Sequence, residues 1–386
     1  MDGRCGRVQG TAPVVPAHRP VPRRRPAPDP ALDELVGLTL ELAAIPAPTG
    51  HEEERGDAVA RLFSAAGLVV ERDAVGNVLA RPSGADREAP AVVVAGHLDT
   101  VFGPEVALRP RRDGDRLLAP GIGDNTVAVA ALVVLARELA AGTLAPGGGV
   151  VLAATVGEEG LGDLRGAKHL LRTVPARAFI SLEGHLLDEL VVGGIGSVRL
   201  RASYAGPGGH SWGDRDAPSA VHAMLEAGAA ALRAVPAGRH ANFGVASGGT
   251  TVNAIAGTAA LLIDLRDEDE ARLEETTRTV EDVLRRVPRG ITPRVDRIGH
   301  RPAGRMSPDD ELVRAARAAR GDVGLRPARE DVGSTECNAA FPLGVPTVCV
   351  GLTRGADMHR ESEWISVEPL AEGMAVVRAL LRRLTA

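Results

Sequence analysis

The chain has 386 residues, 44% hydrophobic and 25% charged, with a formal net charge of −5. Those proportions belong to a soluble globular protein long enough for two or three domains, and are unlike those of a disordered or membrane chain. So weak a net charge argues against a polyanion-binding surface, so nucleic acid is not an expected partner, and no run of about 18 apolar residues exists to span a membrane.

Residues 1–30 are dominated by Pro, Arg and Ala, a composition that cannot bury enough apolar surface to order itself, and are expected to form a disordered tail. No apolar segment follows Arg23, Arg24 and Arg25, so the run is not read as an export signal. From residue 31 the sequence alternates helical and strand-like segments, the pattern of an α/β domain with a mostly parallel sheet. A helix is expected to begin near Glu52, with His51 at its start. AVVVAG (91–96), VVLAATV (150–156), AFISL (178–182) and PTVCVG (346–351) read as buried strands, being apolar, largely β-branched and bounded by Gly, Pro or charge. Asn125 to about Ala140, free of internal Pro and Gly, reads as a helix, and Pro369 to Leu384 as a closing one.

Between about 194 and 302 the texture changes. SVRLRASYA alternates Val198, Leu200, Ala202 and Tyr204 with polar residues, as in a strand with one face in water. A helix after Pro218, strands at 240–246 and 251–266, a helix at 268–287 and a strand at 291–298 follow. The order βαββαβ predicts an α+β sandwich at 194–302, inserted into a larger domain made of 31–193 and 303–386. Cys5, Cys337 and Cys349 lack the paired short spacings of a zinc–thiolate or disulfide framework, which fits a reducing, cytoplasmic setting. Cys337 and Cys349 are expected as small core residues.

Three predicted core strands end in metal-ligand residue types: His97, the pair Glu158 and Glu159, and Glu183. A loop after the fourth carries His359. In open α/β sheets, sites form beyond the carboxyl ends of the strands, where such side chains converge. Asp124 precedes a helix whose unpaired amides favour a carboxylate. His97 and Asp99 are two apart on extended chain, so Asp99 is placed to accept the second imidazole proton and fix the tautomer. Imidazole with carboxylate suits zinc, and one carboxylate between two cations lets them sit about 3.5–4 Å apart.

GHLDTVF, APGIGDNT, VGEEG, SLEG and MHRESEW, in this order and spacing, resemble the five metal-site motifs of the di-zinc metallopeptidases. That family includes glutamate carboxypeptidase, acetylornithine deacetylase, succinyl-diaminopimelate desuccinylase and aminoacylase. GPGGHS, GGTTVNAI, DLR and GSTEC resemble its lid and pocket motifs, so the resemblance covers nearly everything after residue 31. It implies two Zn²⁺ per subunit, with Co²⁺ or Mn²⁺ as substitutes: His97 and Glu183 on one, Glu159 and His359 on the other, and Asp124 bridging. Glu158 becomes the general base, and His210 the lid histidine that reaches the partner subunit's site in a homodimer joined through the lid. Asn253 and Arg266 would hold substrate oxygen atoms, with Ser334 and Thr335 nearby. The expected reaction is hydrolysis of a peptide or N-acyl amide next to a carboxylate in a small substrate. An aminopeptidase for short peptides and a catalytically silent binding protein are the alternatives. Asn125-Thr126 stands where the family usually has Asp-Lys, a departure expected to alter pocket specificity. The remaining histidines, His18, His51, His169, His185, His222, His240 and His300, are read as structural or solvent-exposed.

Overall fold

The computed structural model describes residues 30–144 and 149–385; the tail reading, Cys5 and His18 lie outside these. Four strands at the centre of a larger sheet run parallel: Val150–Thr155, Ala91–His97, Ala176–Glu183 and Thr347–Gly351, in that spatial order. All but the first two residues of Ala176–Glu183 are buried, which is why they read as continuous apolar runs rather than alternating ones. Antiparallel strands extend both edges, Val69–Arg72 and Val78–Arg81 on one side, Glu189–Gly194 and Gly304–Arg305 on the other. Arg329–Gly333 pairs in parallel with Glu189–Gly194. The helix Val127–Ala140 is buried almost all round because it packs on this sheet and beneath the helices Pro30–Ala43 and Glu53–Ala65. The closing helix is Leu370–Leu384.

Between Glu189–Gly194 and Gly304–Arg305 in chain order lies a separate four-stranded antiparallel sheet. Its spatial order is His240–Gly248, Thr258–Asp267, Gly196–Ala205, Thr292–Arg301. The helices Ala220–Ala234 and Glu270–Leu284 cover one face, and Val198, Leu200, Ala202 and Tyr204 turn into the core beneath them. The alternation of SVRLRASYA thus marks the correct face.

Two local expectations change. The strand expected at 251–266 divides: Ala254–Ile255 leaves the sheet to pair with Gly209–His210, and the chain rejoins the sheet at Thr258. The long helix starts at Val127, because Ile122–Thr126 forms an irregular turn in which Asp124 (φ −119°, ψ 87°) and Asn125 (φ −137°, ψ 34°) are not helical.

Candidate metal centre

Strand ends and two loops meet above the parallel strands. His97 closes its strand with the ring 1% exposed; Glu158, Glu159 and Glu183, at 6, 7 and 9% exposed, stand beyond or at the ends of the two neighbouring strands. Asp124 lies between two imidazoles: its Oδ1 is 3.0 Å from His97 Nε2 and its Oδ2 is 3.0 Å from His359 Nε2. Glu159 Oε1 is 3.1 Å from His359 Nε2, and Glu183 Oε1 is 4.0 Å from His97 Nε2. Donor atoms of His97, Asp124 and Glu159 all lie within 4.8 Å of one another. The five residues expected as ligands are therefore brought together, with the two Asp124 oxygens divided between two donor sets. A set of imidazoles and carboxylates around one shared carboxylate fits zinc or another N/O-binding divalent ion.

Asp99 does more than face the imidazole. His97 Nδ1 is 3.0 Å from the Asp99 carbonyl oxygen and 3.6 Å from its carboxylate. The carboxylate also accepts the amides of Glu158 and Glu159, each at 2.9 Å, and the Thr49 hydroxyl at 2.9 Å. Its charge thus faces His97 and aims the glutamate pair at once. Asp124 likewise makes no helix-capping bond. The amides of Gly121, Gly123 and Asp124 donate to the buried Glu363 carboxylate at 2.8–3.0 Å, and Glu363 also contacts His185 Nε2 at 2.8 Å. The carboxylate at this turn therefore comes from the MHRESEW loop, and it serves amides that precede the helix rather than those of the helix itself.

Two glycines allow these close approaches. Gly157 has φ +65°, and a Cβ there would lie 2.5 Å from Arg165; Glu52 ties the same turn down, accepting the Gly157 amide and pairing with Arg165. A Cβ on Gly184 would meet the Gly123 carbonyl at 2.1 Å, so Glu183 could not sit against the Asp124 turn. Asn125 and Thr126 are buried: Asn125 Nδ2 donates to Leu182 O at 2.7 Å, and the Thr126 hydroxyl to Gly121 O at 2.7 Å. Neither lines the cavity, so their departure from Asp-Lys is absorbed as support for the turn rather than as pocket charge.

The electrostatics are those of crowded carboxylates. Burial pushes Glu158 up to about 7, against the pull of Arg301 and His97. Burial would also raise Asp124, yet hydrogen bonds from His359 and His97 hold it below the usual carboxylate range. His359 is pulled up to about 10 by Asp124 and then Glu159. Behind the centre, burial raises Glu336 to about 7 despite the His97 charge and a Thr155 hydroxyl 2.5 Å away.

A cavity of about 530 Å³ opens beside this cluster. Arg266, Ser334 and Thr335 line it; Arg266 is held by Asp264 at 2.7 Å, and Thr335 caps the short turn Glu336–Ala339. His210 and Asn253 are not brought to it. They sit on the exposed ribbon of the inserted unit, where Ser211 N donates to Asn253 O at 3.0 Å. Sequence reasoning missed Arg301, Glu363 and the contact of His185, because a charged residue at a strand end or in a polar loop carries no sign of burial. Cys337 and Cys349 are free and buried, as expected.

A model of the peptidase family M20/M25/M40 matches residues 93–383. The chain belongs to that family. It is thus a metal-dependent hydrolase acting on amide bonds of small peptides or amino-acid derivatives. A Pyrococcus horikoshii protein named as a LysW-lysine/LysW-ornithine hydrolase is 27% identical over 91% of this chain and 98% of its own length. A Pyrococcus abyssi protein of the same name is 31% identical, over 44% of this chain and 45% of its own. The fold is that of aminopeptidase PepT from Bacillus cereus (TM-score 0.73, 22% identity, covering 92% of this chain and 99% of that one). A Staphylococcus aureus tripeptidase has the same fold (TM-score 0.74, 21% identity, covering 91% and 98%). Among the described residues no helix is long and apolar enough to cross a membrane.

Proposed function

We propose that the chain is a dimeric two-zinc hydrolase that cleaves a peptide or N-acyl amide next to a carboxylate in a small substrate. The observation that carries this reading is Asp124, whose two oxygens each lie 3.0 Å from a different histidine, as a bridging carboxylate requires. His97 and Glu183 would hold one ion, His359 and Glu159 the other, and Co²⁺ or Mn²⁺ suits the same donors. When bound, the ions supply Lewis acidity toward the amide carbonyl and lower the pKa of water. Glu158, buried at the cavity wall, takes the proton of the attacking water and passes it to the leaving nitrogen. Asp99 keeps Glu158 and Glu159 aimed through their amides.

Arg266, which lines the same cavity and is 39% exposed at its side chain, has its Nε taken by Asp264 and keeps its Nη donors for a substrate carboxylate, with Ser334 and Thr335 also lining the cavity. We take residues 31–193 and 303–386 as the catalytic unit and 194–302 as the lid. The exposed edge strand His240–Gly248 and the exposed Leu225 and Leu232 of the adjoining helix support dimerisation through the lid. His210 and Asn253 of the partner subunit would then complete each site. The buried free thiols favour the cytoplasm.

A second reading, a short-peptide aminopeptidase, is favoured by Glu189 and Asp331 on the cavity wall, two carboxylates that share the one cation Arg329 and so keep net negative charge to attract a free amino group. The relatives named for lysine and ornithine are compatible with a cationic group at that end. Zinc-loaded protein incubated with dipeptides, tripeptides and N-acyl amino acids, with products followed by mass spectrometry, tests both. Turnover that falls at least tenfold when the substrate carboxylate is amidated supports the first reading. Equal cleavage of amidated peptides, with loss on N-acylation, overturns it in favour of the second.

A further inference from the structure

We propose that Arg301 is a positioning residue for Glu158, fixing its carboxylate and tying it to the strand by which the lid rejoins the central sheet. The proposal rests on the reading of Glu158 as the general base.

Arg301 is the last residue of the strand Thr292–Arg301 and is only 4% exposed. Its Nη1 donates to Glu158 Oε1 at 2.8 Å and to Ser334 Oγ at 2.9 Å, and its Nη2 donates to the Glu158 carbonyl oxygen. One planar guanidinium thus grips both side chain and main chain of the same residue, which sets the carboxylate's direction as well as its place.

The strand end is itself anchored to the catalytic unit. The His300 amide donates to Asp163 at 2.8 Å, and Lys168 bridges Asp163 at 2.6 Å to the His300 carbonyl at 2.7 Å. Arg301 is therefore held from behind when it reaches Glu158. A role as a substrate-carboxylate contact fits less well, because both Nη atoms are engaged and Nε is buried, whereas Arg266 is more open to the cavity.

The test compares zinc-loaded wild type, Arg301→Gln, Glu158→Gln, the double variant and Arg301→Lys, on whichever panel dipeptide or N-acyl amino acid is cleaved fastest. Arg301→Gln should lower kcat about 10–100-fold with KM within about threefold, as expected when a reacting group is misplaced. Arg301→Lys should recover part of the loss, keeping the charge without the fork. In the Glu158→Gln background, Arg301→Gln should cost less than about twofold further. Melting temperatures of the same cycle, without substrate, should be non-additive by about 2 °C or more, since removing one member of a buried pair strands the other. A raised KM with unchanged kcat, additive losses in kcat, or additive melting shifts would each overturn the proposal. Should Arg301→Gln fail to fold, Arg301→Lys carries the same cycles with smaller steps. A wild type that cleaves nothing in the panel sinks the catalytic reading, whereas an active wild type with additive cycles sinks the Arg301 proposal alone.

Discussion

The carboxyl edge of the parallel sheet and the lid ribbon bearing His210 both carry residues expected to act on substrate, but they hold them in opposite ways. At the sheet edge His97, Asp124, Glu158, Glu159 and Glu183 are all buried, and their loops are tied to one another through Asp99, Glu363 and Arg301. On the ribbon His210 and Asn253 are exposed and their side chains make only local bonds: His210 Nδ1 accepts the amides of Trp212 and Gly213 at 3.2 Å, and Asn253 Oδ1 the Thr251 hydroxyl at 2.6 Å. Trp212 beside them is 76% exposed. The sheet edge is wired by contacts between distant segments of the chain, whereas the side chains of the ribbon are left open to solvent. With Nδ1 accepting, the neutral His210 ring carries its proton on Nε2.

The largest effect is expected at Asp124. Asp124→Ala should lose both metals together and with them all measurable turnover, read by elemental analysis after gel filtration and by the substrate panel. Two ions retained in that variant would show that the sheet edge is not organised around one shared carboxylate. Glu158→Gln should keep both metals and lose roughly 10²–10⁴-fold in kcat, because a proton carrier is removed and a ligand is not. Loss of metal in step with activity would exchange the roles of Glu158 and Glu159.

The ribbon gives the next effect. His210→Ala should remain metal-replete and lose about 10²–10³-fold in kcat, the usual cost of one oxyanion donor. Co-expressed with Glu158→Ala subunits, half of randomly paired dimers are mixed and each has one intact site, so about a quarter of wild-type activity should return. Mixed dimers no faster than either parent would place His210 at its own chain's site or at none.

Legibility follows the same division. The parallel strands were readable because burial on both faces leaves unbroken apolar runs, and three of the four runs end at or just before residues of metal-site type: His97, Glu158-Glu159 and Glu183. The lid strand was readable from its alternation. What escaped was the wiring. Asp99 and Glu363 both serve main-chain amides, and such bonds depend on turns brought together from positions 239–242 residues apart in the case of Glu363, which no local pattern encodes. Glu363→Gln sharpens this point: weakening the anchor of the Asp124 turn should lower zinc affinity about 10–100-fold, measured by chelator competition, while saturating zinc restores most of kcat. Unchanged affinity would show that the turn holds its shape without that charge.

The smallest expected effect concerns Glu336, which lies behind the metal centre and takes no part in the proposed chemistry. It is 1% exposed, one oxygen meets the Thr155 hydroxyl, and Oε2 has no hydrogen-bond partner. Burial raises it from 4.5 to about 7. A carboxyl whose folded pKa is raised contributes stability that is complete below about pH 4.5 and is lost as pH climbs through about 7, because the folded state must then ionise a buried group. Glutamine keeps the oxygen that meets Thr155 but cannot ionise. In chelator-treated protein, the melting temperature of Glu336→Gln relative to wild type should therefore rise by about 2–5 °C between pH 4.5 and pH 8, on top of whatever fixed difference the amide introduces. Added zinc should shrink that rise, since nearby cations favour the ionised carboxylate that wild type alone can form. A difference that stays constant across this range would mean that Glu336 is ionised throughout and has a cationic partner in solution.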